Sequence, residues 1–308
     1  MTTDAVAPDL VLPTIPDSIG RVVYFGTPGL AVPPLQALVE LGVEVSLVVS
    51  RADAKRGRGG GLQPSPVKAA ALDLGLPVSD DPMDAREVGA DLGVVVAYGR
   101  LLKRPLLDEL PMVNLHFSLL PRWRGAAPVE RALLAGDAET GVCLMAIEEG
   151  LDTGGVYRRA VTPIEHTDTL SSLRGRLVEL GVELLVDAVT NGFGPADPQV
   201  GEPLHAAKID KSELRLDPAL GADDCSRRIR LGGAWAEFRG QRLKVWETDP
   251  DIVELPEPAP TVGTIDDLVW WCADGGLRLR VVQPENRARM DADAWANGAQ
   301  PGADDHLR

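Results

Sequence analysis

The sequence predicts an α/β protein in which a doubly wound, mostly parallel sheet is followed by a small β-barrel. Three observations carry this. Short valine-rich runs bounded by glycine, such as DLGVVVA at 91–97, alternate with helical segments as far as residue 191. A glycine- and proline-rich breaker, NGFGPADP, occupies 191–198. Beyond 206 there are only short strand-like runs between turns.

Taken in order, residues 1–20 read as a loose extension, since no positive charge precedes an apolar core as it does in a signal peptide. The first domain spans 21–191, with helices expected at 31–41, 66–74, 104–110, 128–135 and 170–190. The run 91–97 is almost continuously apolar, the pattern of a strand buried on both faces. The stretch 112–116 alternates instead, so Asn114 and His116 fall on one face. Pro128 suits a first helical turn and Gly136 ends that helix. A linker is placed at 192–205 and the second domain at 206–308, with strands expected at 234–238, 242–246, 268–272 and 277–283. The tryptophans at 235, 246, 270, 271 and 295 are expected in the core rather than as stacking platforms. The proline- and glutamate-rich run 254–260 and the acidic tail after 299 are expected to be mobile.

Composition narrows the class. A chain of 308 residues, 44% hydrophobic and 25% charged, has room for two domains. No run of 18 apolar residues exists, which argues against a membrane-spanning helix. Three cysteines, odd in number and far apart, point to reduced thiols in the cytoplasm. A net charge of −15 argues against a protein that holds nucleic acid by overall charge. Residues 201–308 alone carry 14 Lys and Arg against 20 Asp and Glu. Basic groups survive locally, at Arg51, Lys55, Arg56 and Arg58, at Arg122 and Arg124, and at Arg227, Arg228 and Arg230.

The chemistry gathers in VNLHFSLLPRWRGAAP (113–128) and GLDTGG (150–155). In an open parallel sheet, ligands sit beyond the carboxyl ends of the strands. A strand ending in Asn114-x-His116 delivers an amide and an imidazole there, and Asp152 adds a carboxylate. Such a set suits attack of an amine on an acyl carbon. Asn114 donates to the developing oxyanion, His116 serves as general acid and electrostatic stabiliser, and Asp152 orients the imidazole and accepts the amine proton. Each residue alone has a bland explanation, a structural histidine or an Asx-turn at Asp152. Other chemistries lack their signatures: there is no GxSxG, HExxH or CxxC, and no metal site is expected. The loop 50–66 lacks the GK[ST] of a phosphate-binding loop, and GTPG at 26–29 lacks GxGxxG.

These strings resemble the folate-dependent formyltransferases. RVVYFGTPGLAVPPLQAL (21–38), RGRGGGLQPSPVKAAAL (56–72), VVVAYGRLL (94–102) and GDAETGVCLMAIEEGLDTGGVY (136–157) are similar to the family's catalytic domain. AAKIDKSELRLD (206–217), GQRLKVW (240–246) and VVQPENRARMDADAWANG (281–298) are similar to its C-terminal part. The resemblance implies an OB-like C-terminal barrel and 10-formyltetrahydrofolate as formyl donor, with Ser118, Leu119, Leu120, Pro121, Val96 and Tyr98 lining the folate pocket. The variant SLLPRWRGAAP, with the C-terminal module, implies the α-amine of initiator methionyl-tRNA as acceptor and a monomeric enzyme. Arg58, Arg56 and Lys55 in the first loop and Arg124 beside the site would then contact tRNA. Two departures leave alternatives open: Gly60 and Gly61 stand where relatives carry lysines, and RLGGAWAEF (230–238) replaces an Asn-Pro-Trp-Pro turn. The alternatives are a divergent enzyme acting on another amine, such as an amino-sugar nucleotide, and a folate- or RNA-binding paralogue without turnover.

Overall fold

The computed structural model describes residues 13–55, 61–302 and 304–308. Two compact units are present, the first formed by residues up to 128 with 140–162 and 174–206, the second by 129–139, 163–173 and 207–308.

The chain runs β1 (Arg21–Gly26), α1 (Val32–Glu40), β2 (Glu44–Val49), β3 (Ala54–Lys55), β4 (Leu62–Gln63), α2 (Pro66–Asp73), β5 (Val78–Ser79), β6 (Leu92–Val96), α3 (Leu106–Glu109) and β7 (Met112–His116). It continues through β8 (Arg124–Gly125), α4 (Pro128–Ala135), β9 (Glu139–Ala146), β10 (Val156–Pro163), α5 (Leu170–Asn191) and β11 (His205–Ala206). The main sheet has the order β10-β9-β7-β6-β1-β2-β5. Pairs β1–β2, β1–β6, β2–β5 and β6–β7 are parallel, and β7–β9 is antiparallel. This is the doubly wound, mostly parallel sheet that the alternating pattern predicts. All five residues of β6 are buried, as its unbroken apolar run requires. Helix starts follow local chemistry: Pro66 opens α2 behind Ser65, whose Oγ accepts the Lys68 N–H at 3.0 Å. Phe25 and Tyr98 meet edge to face at 5.6 Å within the core over one face of the sheet.

Residues 192–205, expected as a linker, are bonded into the first unit together with Ala206. Asp197 bridges Val156, and β11 pairs with β8, aligning His205 with Arg124 and Ala206 with Gly125.

The second unit is an antiparallel sheet. It contains α6 (Ala222–Leu231), β12 (Trp235–Phe238), β13 (Gln241–Thr248), β14 (Ile265–Asp266), β15 (Val269–Trp271), β16 (Gly276–Pro284), β17 (Met290–Asp291) and α7 (Ala292–Ala299). The strand order is β12-β13-β16-β15-β14, with β17 also on β16. The last residues join its two edges: Leu307 bridges Phe238 of β12, and His306 bridges Thr264 beside β14. Leu307 is fully buried, and its carbonyl accepts the Trp270 indole N–H at 3.1 Å. The tail is therefore bonded to the sheet over 306–308, which corrects the expectation of a mobile terminus. α6 buries Ala222, Cys225 and Ile229, one stripe of the helix, and carries Asp223 and Asp224 at its start and Arg228 and Arg230 at its end, as its dipole favours. The basic trio of this helix is engaged within the unit. Arg228 binds Asp224 and the Glu213 carbonyl, Arg227 lies 4.0 Å from Asp224, and Arg230 donates to the carbonyls of Glu165 and Asp168.

The tryptophans divide. Trp270, Trp271 and Trp295 are buried as expected, whereas Trp235 and Trp246 are only half-buried. No helix of the described residues is long and apolar enough to cross a membrane.

Candidate active site

The strand order reverses at β1, which has β2 on one side and β6 on the other, and ligand crevices form at such switch points. β7 lies next to β6, with Asn114 beside Val95, and across from it Met145 and Cys143 of β9 face Asn114 and His116. The two-residue spacing puts the amide and the imidazole on one face at the strand's carboxyl end. Asn114 is half-buried, and its carboxamide has no hydrogen-bond partner among the described residues. That leaves a donor at the strand end whose loss would leave no internal group unsatisfied.

His116 is held by the loop that follows. Its Nε2 lies 2.8 Å from the Trp123 carbonyl. A carbonyl only accepts, so Nε2 carries the hydrogen and Nδ1 turns to Asp152, whose Oδ2 is 3.6 Å away. This separation is too long for a direct hydrogen bond, and the carboxylate faces the imidazole as a counter-charge for whenever the ring takes up a proton. The two side chains are only 5% and 14% exposed, so water screens it little. Oδ2 of Asp152 also accepts the Gly125 N–H at 2.8 Å. One tetrapeptide, Arg122–Gly125, thus binds both partners through its main chain. Trp123 takes a left-handed conformation (φ 64°) to aim its carbonyl, with the Arg122 guanidinium 4.7 Å over its ring.

Asp152 is itself left-handed (φ 53°), a conformation that costs an L residue roughly 1–2 kcal/mol. The glycines around it follow from close packing. A Cβ on Gly154 would stand 2.1 Å from the Ala146 carbonyl oxygen, and one on Gly125 (φ 122°) 2.9 Å from that of Ala206. Only glycine fits at either place.

The turn is held by Gln199, which the sequence reading passed over as part of a linker. Its Nε2 donates to the carbonyls of Asp152 (2.9 Å) and Gly154 (2.8 Å), and its Oε1 accepts from Nε and Nη2 of Arg124 (3.0 and 2.7 Å). Arg124, expected to contact tRNA, has its guanidinium in this contact. No periodicity marks such a glutamine; a lone amide amid prolines and glycines is the only hint in the sequence.

The other expected residues are placed as follows. Val96 and Ser118 are fully buried, and Tyr98 and Leu120 nearly so. Ser118 Oγ donates to the Arg122 carbonyl at 2.6 Å, stabilising the loop rather than facing outward. Burial pushes the Tyr98 phenol above its ordinary range. Leu119 and Pro121 alone of the six are half-buried. Lys55 is exposed on β3, while Arg56 and Arg58 lie outside the described residues.

Comparison with known proteins fits this geometry. The formyl transferase family model matches residues 21–189, and that of the formyl transferase C-terminal domain matches 208–300. The chain is 41% identical over 302 residues to the methionyl-tRNA formyltransferase of Symbiobacterium thermophilum, covering 90% of this chain and 92% of the relative. It is 42% identical to that of Thermobifida fusca, covering 92% and 97%. Among solved structures, an N-formyltransferase from Helicobacter canadensis in complex with folinic acid and dTDP-3-aminofucose is similar in fold (TM-score 0.63, 17% identity, 86% of this chain and 99% of that one). HypX from Aquifex aeolicus, bound to tetrahydrofolic acid, is likewise similar (TM-score 0.61, 18% identity, 91% and 47%). With both of its parts matched and relatives of this identity along nearly its whole length, the chain belongs to the formyl transferase family and stands among its methionyl-tRNA formyltransferases.

Proposed function

We propose that this protein moves the formyl group of 10-formyltetrahydrofolate onto the α-amine of initiator methionyl-tRNA. The observation that supports this is that His116 lies 3.6 Å from Asp152 at the carboxyl end of β7, with Asn114 two residues before it on the same face of the strand. The amine attacks the formyl carbon and a C–N bond forms. The bond to the folate nitrogen then breaks and that nitrogen takes a proton. Asn114 and His116 stabilise the negative oxygen of the tetrahedral intermediate, and Asp152 holds the imidazole and receives the proton from the amine. Leu119 and Pro121 offer side-chain surface to the folate, whereas the buried Val96 and Tyr98 offer main-chain atoms only. Residues 21–191 do the chemistry, and 206–308 serve RNA recognition, in a monomeric cytoplasmic enzyme. The amino-sugar alternative has as support solved structures that share the fold at 15–22% identity, against relatives near 41%.

The test is direct. Purified protein is given labelled formyl donor with charged initiator tRNA or with amino-sugar nucleotides. Label is expected on the methionyl amine; label in the sugar alone would overturn the substrate assignment.

The overall negative charge is offset on one sheet face of the second unit. Arg242, Lys244 and Trp246 alternate along β13 with the buried Leu243 and Val245. Lys244 lies opposite Trp235 on β12 and Gln283 on β16. Guanidinium groups cover the rings: Arg242 is 4.0 Å and Arg215 5.7 Å from the Trp235 centroid, and Arg289 is 3.3 Å from that of Trp246. Such a face suits a phosphate backbone. Arg242→Ala and Arg289→Ala are expected to raise KM for tRNA and to lower the salt slope of binding by about 1 each, leaving KM for the folate unchanged. Filter binding across salt concentrations measures this, and unchanged slopes would remove the face from the RNA interface.

A further inference from the structure

We propose that Gln199, anchored by Arg124, is the positioning residue of the Asp152 carboxylate; this rests on the catalytic reading of Asn114, His116 and Asp152. Asp152 has no helix or strand beneath it to fix its direction. It sits in a turn after β9, left-handed, and 14% of its side chain is exposed. One amide group clamps this turn. The Gln199 –NH2 bonds the carbonyls on either side of Thr153, which fixes the peptide planes and so the direction of the Asp152 Cα–Cβ bond. The opposite end of the same amide accepts two N–H groups from Arg124, which sets its orientation: oxygen to the guanidinium, nitrogen to the carbonyls.

The remaining freedom of Asp152 lies in its side-chain torsions, and the Gly125 N–H holds those through Oδ2. Arg124 and Gly125 are neighbours in β8. A closed ring of hydrogen bonds therefore runs from Arg124 through Gln199 to the Asp152 turn, out along the carboxylate and back to Gly125. The ring is braced from behind by β11, where the Arg124 N–H donates to the Leu204 carbonyl at 2.9 Å and those of Ala126 and Ala127 to Ala206 at 2.9 and 3.1 Å. Gln199 and Leu204–Ala206 belong to one segment, so 199–206 acts as the backing of the site rather than as a spacer. Arg124, by the same geometry, acts on turnover and not on tRNA affinity.

The alignment matters because the Asp152–His116 relation is set at 3.6 Å without a direct bond. A turn free to swing moves the carboxylate off the imidazole, and a displacement of about 1 Å costs up to a hundredfold in rate. Gln199→Ala is therefore expected to lower kcat about tenfold or more, with KM for both substrates within about twofold of the parent. Gln199→Glu keeps the acceptor for Arg124 but sets a negative oxygen against two carbonyls. It is expected to lower kcat as much while keeping size and shape, so a poorly folding alanine variant leaves the test intact. Arg124→Ala should fall in the same way.

The decisive measurement is a double-mutant cycle on kcat with Asp152→Asn. If Gln199 acts through the carboxylate, adding Gln199→Ala to Asp152→Asn lowers kcat by less than about twofold. Full multiplication of the two effects would overturn the positioning role, as would a Gln199→Glu enzyme with parental kcat. An Asp152→Asn enzyme with parental kcat would instead refute the catalytic reading, so the two failures are told apart.

Discussion

Asp152→Asn is expected to lower kcat about a thousandfold while leaving folate affinity close to that of the parent. The substitution keeps an oxygen for the Gly125 N–H, 2.8 Å away in the parent, so the turn survives. What disappears is the charge 3.6 Å from His116 Nδ1. A positioned proton acceptor contributes about 10²–10⁴ in rate, and the expected loss lies inside that range. Both groups are nearly buried, so bulk water replaces the carboxylate poorly. Stopped-flow single-turnover transfer, with folate binding by calorimetry, gives the two readings. A rate within threefold of the parent would remove Asp152 from the chemistry.

Asn114→Ala carries the second large effect and separates chemistry from folding more cleanly. The carboxamide satisfies no group among the described residues, so its truncation leaves no internal donor or acceptor stranded. Thermal stability should stay near that of the parent. An oxyanion donor, by contrast, is worth about 2.7–4 kcal/mol in the transition state, so kcat should fall about 100- to 1,000-fold at nearly constant KM. A variant that loses stability but not rate would make Asn114 a structural residue of the strand end.

The elements legible in the sequence were those with a short-range cause. β7 was read to the residue, because Asn-x-His imposes a period of two. The helices at 66–73 and 128–135 announce themselves through Pro66 behind Ser65 and through Pro128 with Gly136. The proposed trio of Asn114, His116 and Asp152 rests on residue types and positions that are written in the chain. Their supports were not legible. The Trp123 carbonyl and the Gly125 amide are groups that almost any residue provides, and Gln199 reaches Asp152 across 47 positions with no pattern between. The closing tail failed for the same reason: Leu307 finds Phe238 and Trp270 only once the sheet has formed. Trp235 and Trp246 were misread because an alternating strand places tryptophan on either face, and the flanking arginines decide which.

The tetrapeptide from Arg122 to Gly125 grips the imidazole and the acid by backbone atoms rather than by what its residues display. Inserting or deleting a single residue there would shift both grips at once. For anyone redesigning this enzyme, loop length is a constraint to keep alongside the Arg124 side chain.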